Sequence, residues 1–288
     1  MPSQPITTGK VIIAGAGPGD PELLTVKALR ALQQADVVLA DRLVSEQVLV
    51  QYVKQDAEII PVGKQCRRGA STPQEIINEL MLEHASKGKL VVRLKGGDVS
   101  IFSNVLDELE ALKKAGIPYE IIPGVTAALG AAAYAGIPLT ARQYSTAVRF
   151  LTFYRNEVIG DQYWKDLAGT DDTLVFYMSS ETLDGVVNNL VKHGIGSDKL
   201  LAVIEQATTP LQNVQVTNLY DYAQNWKGKT FVSPALVIIG KVVALHEQFA
   251  WIANSNSSES YFKPVAKLFT APTTVTATEN ANQHVSRA

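Results

Sequence analysis

The chain alternates short apolar runs with longer segments in which apolar residues recur every three or four positions. In the first half the apolar runs predict strands, and the periodic segments between them predict helices. The predicted strands are residues 10–14, 36–40, 57–62, 89–94 and 118–122, and the predicted helices are 21–34, 45–53, 73–87, 104–115 and 125–135. Regular alternation of this kind is typical of a mainly parallel sheet with helices on both faces.

A second α/β unit follows a crossing segment at residues 137–142. Its predicted strands are 147–153, 173–178, 200–206, 212–217 and 234–240, and its predicted helices are 182–193, 217–226 and 244–253. Residues 212–217 alternate polar and apolar side chains, which favours an antiparallel edge strand. From Asn254 onward the pattern has no period and is typical of a mobile tail. We therefore predict an N-terminal domain at 9–139, a C-terminal domain at 140–252 and a flexible tail at 253–288.

Composition excludes several classes of protein. The 288 residues carry a formal net charge of −2, so no overall basic field suggests a nucleic-acid partner. Cys66 is the one cysteine, which fits a reducing compartment and excludes an intrachain disulfide. The first nine residues lack the apolar core of a signal peptide, and no stretch reaches the roughly 18 uncharged apolar residues of a spanning helix. We expect a soluble cytoplasmic protein without a membrane partner.

Glycine and aspartate follow three predicted strands where each strand ends. Residues 15–21 (Gly-Ala-Gly-Pro-Gly-Asp-Pro) follow the first, Asp41-Arg42 the second, and Gly96-Gly97-Asp98 the fourth. Ligands of open α/β sheets bind outside this edge, and glycine lets the backbone approach them. The first loop lacks both G-x-G-x-x-G and a Walker lysine, so a phosphate site is disfavoured, although a tight turn alone would also explain its glycines. The pattern predicts a small-molecule site.

Two charged features near these strand ends have an alternative, purely structural explanation. Asp41 could cap the next helix, but Ser45 is better placed to do so. Lys64, Arg67 and Arg68 put three cations in five residues, which composition alone would explain as a solvated loop. Their position after a strand end favours an anionic ligand.

The chain lacks the sequence signatures of hydrolases and redox enzymes. His84, His193, His246 and His284 have no metal-ligand spacing, Cys66 stands alone, and no Ser–His–Asp order is present, so we predict no metal. Reactions that mainly require two substrates to be positioned remain open, and group transfer from an activated cofactor is the obvious class.

The ordered motifs closely resemble the uroporphyrinogen-III C-methyltransferases of the tetrapyrrole methylase superfamily, over about residues 9–252. The first of these motifs, Gly15–Thr25, is shared by several cobalamin-pathway methylases. Asp41–Ser45 together with Arg93–Asp98 is much more specific. The matching segments are Gly15–Thr25, Ala35–Ser45, Val62–Lys64, Pro73–Ile77, Val92–Asp98, Pro123–Ala128, Ala133–Thr140, Leu174–Met178 and Ser233–Val243.

The resemblance implies two α/β domains of the tetrapyrrole methylase type, with a mainly parallel N-terminal sheet, a mixed C-terminal sheet and the active site in the cleft between them. S-adenosylmethionine would lie folded in that cleft and leave as S-adenosylhomocysteine. The positions that match cofactor contacts are Pro18, Gly96, Gly97, Asp98, Ile101, Thr126, Ala127, Met178 and the backbone around Ala207.

The resemblance also implies a reaction and a partner. The family consists of homodimers that methylate uroporphyrinogen III at C2 and then C7, giving precorrin-2 through precorrin-1 for sirohaem, cobalamin or haem d1. Asp41 and Lys64 match positions with proton-handling roles. A substrate with eight carboxylates would meet cations, for which the candidates are Arg42, Lys64, Arg67, Arg68 and Arg142.

Two alternatives stay open. One is a later corrin-pathway methylase with the same cofactor loop, against which Asp41–Ser45 and Gly136–Thr140 argue. The other is a catalytically silent homologue that binds tetrapyrrole or cofactor; its best support is Asn104, which replaces an arginine of the family pattern. Because Val11 already starts the first strand, we expect no preceding dehydrogenase–ferrochelatase module and a product no later than precorrin-2.

Overall fold

The computed structural model describes residues 9–63, 72–153 and 160–263. The described residues form two five-stranded sheets, one parallel and one mixed, as the sequence analysis predicted. No helix in these ranges is long and apolar enough to cross a bilayer.

The first sheet has the strand order β3-β2-β4-β1-β5, and all its pairs are parallel. Its three central strands, β1, β2 and β4, are buried on both faces. Neighbouring side chains of a strand point to opposite sides of the sheet. Ile12 of β1 packs with helices α1 and α2, whereas Ile13 packs with α3 and α4. The elements are β1 Lys10–Gly15, α1 Val26–Leu32, β2 Val37–Ala40, α2 Glu46–Tyr52, β3 Glu58–Pro61, α3 Gln74–Ser86, β4 Leu90–Lys95, α4 Val105–Ala115, β5 Tyr119–Ile122 and α5 Ala127–Tyr134.

The second sheet has the order β6-β7-β10-β8-β9, in which only β6 and β7 are parallel. The predicted antiparallel edge strand is confirmed as β9. The elements are β6 Val148–Thr152, α6 Asp161–Gly169, β7 Thr173–Tyr177, α7 Leu183–Lys192, β8 Leu200–Glu205, β9 Asn213–Asn218, α8 Tyr222–Asn225, β10 Ala235–Gly240 and α9 His246–Phe249.

Helix α5 connects the two halves. The sequence places it in the first half, yet its alanines pack against one face of the second sheet, on Val175, Ala202 and Ile238. The other face of that sheet packs on α6 and α7. Because alanine side chains are small, the helix lies close to the strands, and the carboxyl edge of the first sheet meets the second sheet.

Helix boundaries differ from the prediction in several places. The helix predicted at 21–34 is a 3₁₀ turn at Pro21–Leu23 followed by α1, because Thr25 is extended and its Oγ1 accepts from the Ala28 N–H at 3.2 Å. Helix α6 was missed, although it buries Trp164 and Leu167. Residues 217–226 yield only α8, and 244–253 yield the end of a 3₁₀ helix (Lys241–Leu245) and α9.

Residues 254–263 are docked, in contrast to the free tail that their composition predicted. Asn254 exchanges two hydrogen bonds with the backbone of Val214, at 2.7 and 2.8 Å. Further along, Tyr261 lies 3.0 Å from Ser45 (Oη to Oγ), and the Phe262 side chain is buried. These contacts use side-chain amides and hydroxyls, which leave no periodic apolar pattern in the sequence.

Candidate functional site

Three loops of the first sheet meet backbone to backbone. Gly17 and Gly97 form an isolated antiparallel bridge, with N···O distances of 3.2 and 2.7 Å. At Gly15 a Cβ would lie 2.6 Å from the Gly97 carbonyl oxygen and 2.7 Å from Gly124, so only glycine fits there. The predicted convergence of the ends of β1 and β4 is therefore confirmed, and the loop after β5 joins them.

Asp98 fastens the β4 loop to the β5 loop. Its Oδ1 accepts from the Ser100 N–H at 2.8 Å, and its Oδ2 accepts from the Gly124 N–H at 2.9 Å. Burial alone would raise the pKa of Asp98, but the hydrogen bonds from Ser100 and Gly124 outweigh it and hold the pKa below its usual value. Asp98 is thus an ionised brace between the two loops.

The start of α5 is held by a tyrosine from the second half. Thr126 Oγ1 lies 2.7 Å from Tyr177 Oη, and the Ala128 N–H donates to the same tyrosine oxygen at 3.1 Å. Burial raises the pKa of Tyr177, and these hydrogen bonds only partly offset that effect. Gly97 lies beside this turn, since a Cβ built on it would be 3.7 Å from the Ala127 nitrogen. Gly97, Thr126 and Ala127, three of the positions predicted to contact the cofactor, therefore lie next to one another.

The loop after β1 contacts the loop after β8. The Asp20 N–H donates to Thr208 Oγ1 at 3.1 Å, and Gly19 packs against Ala207 and Thr208. The Asp20 carboxylate accepts from Tyr134 Oη at 2.6 Å and from the Glu22 N–H at 2.8 Å. Burial, together with the hydrogen bond to Asp20, raises the pKa of Tyr134 to about 12. The acid of this loop therefore holds the fold together, while Pro18 and Ala207 lie at the same junction.

Apolar side chains line the second-sheet side of this junction. Ile101 and Ala127 pack against the cluster that contains Tyr177 and Ala207. Met178 follows β7 with a left-handed φ of 54° and is 53% exposed. The sequence analysis gave Tyr177 no role, because its hydroxyl meets Thr126 and Ala128 only when the two halves pack together.

Asp41 and Arg42 lie on the same edge of the first sheet. The Asp41 N–H donates to the Leu94 carbonyl at 3.0 Å, which continues the β2–β4 pairing. Leu43 packs against Gly96, and Arg42 packs against Gly63. The structure thus places the Asp41–Leu43 turn against the loop that begins at Gly96.

A buried cluster of charges lies behind Asp41. Arg93 donates from Nη2 to Asp41 Oδ1 at 2.6 Å and from Nε to Glu108 Oε1 at 2.9 Å. Lys95 donates to Glu108 Oε2 at 2.8 Å. Sequence reasoning also missed this cluster, for which the signal was two cations, two residues apart, in a strand buried on both faces.

The cluster contains two cations and two carboxylates, and its pKa shifts follow from that arrangement. Burial alone would lower the pKa of Arg93, but the carboxylates of Asp41 and Glu108 outweigh it and raise the pKa. Burial and the neighbouring Arg93 lower the pKa of Lys95, and Glu108 offsets this only in part.

Of the cations predicted to bind substrate, the structure describes only Arg42 and Arg142. Lys64, Arg67 and Arg68 lie outside the described residues. Arg42 is half-buried, and Arg142 is exposed in the turn that Ala141 and Ser145 close. Neither arginine forms an ion pair with a carboxylate in the part of the chain that the structure describes, and no hydrogen bond there joins Arg142 to the other predicted site residues. The same ranges contain no group of three or more His, Cys, Asp or Glu side chains that could hold a metal ion.

The chain was compared with models of known protein families. The family model for the tetrapyrrole (corrin/porphyrin) methylases matches residues 10–223. The chain belongs to the tetrapyrrole methylases. Membership makes it an S-adenosylmethionine-dependent methyltransferase, and the family resemblance predicted from the sequence is confirmed.

Curated relatives of this methylase include two bacterial siroheme synthases. The one from Pseudomonas fluorescens (strain SBW25) is 46% identical over 253 residues, which are 88% of this chain and 54% of the relative. The one from Acinetobacter baylyi is 47% identical over 244 residues, which are 85% of this chain and 53% of the relative. The chain spans about half the length of these relatives.

Several solved structures match this chain over nearly the whole length of the solved protein. The uroporphyrin-III-C-methyltransferase of Thermus thermophilus is 35% identical with a TM-score of 0.70, covering 85% of this chain and 98% of that chain. A complex of that enzyme with S-adenosylhomocysteine has a TM-score of 0.68 at 36% identity, over 82% and 100% of the two chains. A cobalt precorrin-4 methyltransferase is 32% identical with a TM-score of 0.71, over 81% and 95%.

Proposed function

We propose that this methylase transfers methyl groups from S-adenosylmethionine to C2 and then C7 of uroporphyrinogen III, giving precorrin-2 through precorrin-1. The observation that carries the proposal is that Gly97 lies next to Thr126 at the carboxyl edge of the first sheet, the edge at which Asp41 follows β2. The likeness to the Thermus thermophilus uroporphyrin-III-C-methyltransferase, over 98% of that chain, supports the same substrate. The product would enter sirohaem, cobalamin or haem d1 synthesis.

The residues at the junction of the two halves fit an adenosyl sulfonium ligand. Gly97 has a φ of 69° and no side chain, so backbone near Ala127 stays open to a ligand. Ile101, Met178 and the backbone near Ala207 add apolar and peptide surface opposite it. When bound there, S-adenosylmethionine supplies an electrophilic methyl group. The chain's part is to hold that group and the substrate in contact, which accounts for much of the acceleration of such transfers.

Asp41 is the proposed proton-handling group of the described residues. Alkylation of a pyrrole carbon leaves the ring positively charged, and the ring becomes neutral only after a proton is lost. The Asp41 side chain is 29% exposed at the strand edge, so its carboxylate can stabilise the charge or accept the proton. Lys64, the other proton-handling residue of the family pattern, remains a prediction.

Arg42 and Arg142 are proposed to bind substrate carboxylates. Both lack ion-pair partners among the described residues, in a protein whose net charge is slightly negative. Free guanidinium groups bind carboxylates through two parallel hydrogen bonds, which suits a ligand with eight acidic groups. Arg67 and Arg68 keep the same predicted role, and a homodimer is the assembly we propose.

The function is tested by anaerobic incubation with uroporphyrinogen III and S-adenosylmethionine. We expect two molecules of S-adenosylhomocysteine per macrocycle and the absorbance of precorrin-2. Asp41→Asn should lower turnover about 100-fold or more, whereas Asp221→Asn, at an exposed acid of the second half, should not.

Two other outcomes separate the alternatives. Tight S-adenosylhomocysteine binding without any product would favour a silent homologue. Turnover of a later corrinoid but not of uroporphyrinogen III would favour a sibling methylase, as the likeness to the cobalt precorrin-4 methyltransferase would allow.

A further inference from the structure

The Asp41 carboxylate is held at one oxygen only. Arg93 Nη2 donates to Oδ1 at 2.6 Å, and within the described residues Oδ2 has no hydrogen-bond partner. The exposed fractions differ sharply along the cluster: 29% for the Asp41 side chain against 3% for Arg93, 0% for Glu108 and 3% for Lys95. Asp41 is therefore the point at which a buried ionic cluster reaches the candidate site.

Arg93 has no freedom to move away from Asp41. Its Nε donates to Glu108 at 2.9 Å, and its Nη1 donates to the carbonyls of Leu39 and Leu94, both at 3.3 Å. Glu108 is fixed in turn by Lys95 at 2.8 Å. A planar guanidinium bonded on three nitrogens sets both the position and the angle of the carboxylate it holds.

Stability alone does not account for this cluster. Taking Arg93, Lys95 and Glu108 out of water is costly, and well-packed apolar residues often replace a buried ion pair without loss of stability. β4 otherwise carries apolar side chains in the sheet interior, with Val91 and Val92 on opposite faces. The charged residues lie together only behind Asp41, which points to a role at the site.

We infer that Arg93 is a positioning residue for methyl transfer: it fixes Asp41 through Oδ1 so that Oδ2 is presented to the substrate ring, while Glu108 and Lys95 fix Arg93. The inference rests on the proposed function, because it assigns Asp41 a part in the reaction. It adds three residues to the catalytic apparatus that do not themselves touch the substrate.

The test compares Arg93→Lys with wild type in single-turnover methyl transfer to uroporphyrinogen III. Lysine keeps the buried charge but loses the planar fork, so Asp41 is displaced. We expect a rate about 100-fold lower, with S-adenosylhomocysteine affinity and the unfolding midpoint near wild type. Arg149→Lys is the matched control, because Arg149 also binds two carboxylates (Asp166 and Asp172) but lies in the second half, and it should leave the rate unchanged.

A double-mutant cycle separates positioning from a structural role. If Arg93 acts through Asp41, Arg93→Lys should slow the reaction in the wild-type background and have almost no further effect in Asp41→Asn. An equal loss in both backgrounds, or a wild-type rate for Arg93→Lys, would overturn the inference.

A second variant covers the case in which Arg93→Lys does not fold. Glu108→Gln keeps an oxygen for Arg93 Nε, and it should lower the rate about 10-fold, again only when Asp41 is present. A wild-type rate for Glu108→Gln would overturn the inference. Failure of the wild-type protein itself to turn over uroporphyrinogen III would instead overturn the proposed function, and the inference with it.

Discussion

The loops around the candidate site meet at residues whose side chains are absent or fully engaged. Gly15 has the backbone of Gly97 and Gly124 within 2.7 Å of where a Cβ would lie. Asp98 has both carboxylate oxygens engaged by neighbouring donors. The geometry of the site therefore depends on a few residues that need not touch the ligand.

Gly15→Ala should destabilise the protein because the added methyl group overlaps backbone that has no alternative position. We expect the free energy of unfolding to fall by about 1–3 kcal/mol, measured by urea unfolding. Gly169→Ala is the matched control, since nothing lies within 4 Å of a Cβ at this helical position. That variant should be neutral or slightly stabilising, and equal losses in the two variants would contradict the prediction.

Asp98→Asn should show a pH-dependent loss of stability. The folded pKa of Asp98 lies below the usual 3.8, so its contribution is full above that value and is lost as pH falls through the folded pKa. We expect a deficit of about 1–3 kcal/mol at pH 7 that narrows on acidification, from unfolding curves at several pH values. Asp221→Asn, in an exposed position, should show no such trend. A deficit for Asp98→Asn that is independent of pH would be evidence against the ionised brace.

At the scale of elements, what the sequence could predict depended on the kind of element. β1, β4 and β10 each contain an apolar run of three or more residues, although β4 also carries Arg93 and Lys95, and all three were located to within a residue or two. Helix ends depend on local caps such as Thr25, and the residues 217–226 combine the end of a strand with a short helix. The pattern of apolar positions records neither which side chain caps a helix nor where a strand gives way to a helix.

The site was predictable to a similar extent. Glycines and acids at strand ends marked Gly97 and Asp41, because the edge of a parallel sheet collects them. Tyr177 and Glu108 could not be found this way, since neither follows a strand end with glycine; each meets its partner only when a separate element packs against it. Ala207 was grouped with Pro18 of the first loop only through the family resemblance, because the pattern of apolar positions gives no sign of their proximity.

Tyr177→Phe should weaken cofactor binding without removing a cofactor contact. The variant leaves the Ala128 N–H without its acceptor at the start of α5. We expect unfolding free energy to fall by about 1–3 kcal/mol and S-adenosylhomocysteine affinity, measured by calorimetry, to fall several-fold. Tyr220→Phe is the control, because its hydroxyl donates to the Ile195 carbonyl away from the site. Unchanged affinity in Tyr177→Phe would show that α5 needs no such anchor.

Across the whole molecule, residues 254–263 tie the second half to the first. Gln206, next to Ala207, donates to the Glu259 carbonyl at 2.9 Å and accepts from the Tyr261 N–H at 2.6 Å. Tyr261 then reaches Ser45, four residues after Asp41. The segment thus connects the loop beside the proposed cofactor site with the loop beside the proposed substrate site.

Ending the chain at Ala253 should lower stability and enlarge the KM for uroporphyrinogen III. Loss of these hydrogen bonds and of the buried Phe262 should cost about 2–5 kcal/mol, measured by thermal and chemical unfolding. A chain ending at Lys263 keeps every described contact of the segment and is the matched control. If both truncations behave alike, the segment does not connect the halves in the way described.

Helix α5 makes the division drawn along the sequence a poor guide to what can fold alone. A fragment of residues 9–139 would end in a run of alanines whose packing partners, among them Val175 and Ile238, belong to the missing part. Neither half should behave as an autonomous folding unit. Heating should therefore melt both sheets in one cooperative transition, and any molecule lodged at their seam should raise the melting temperature of the entire protein.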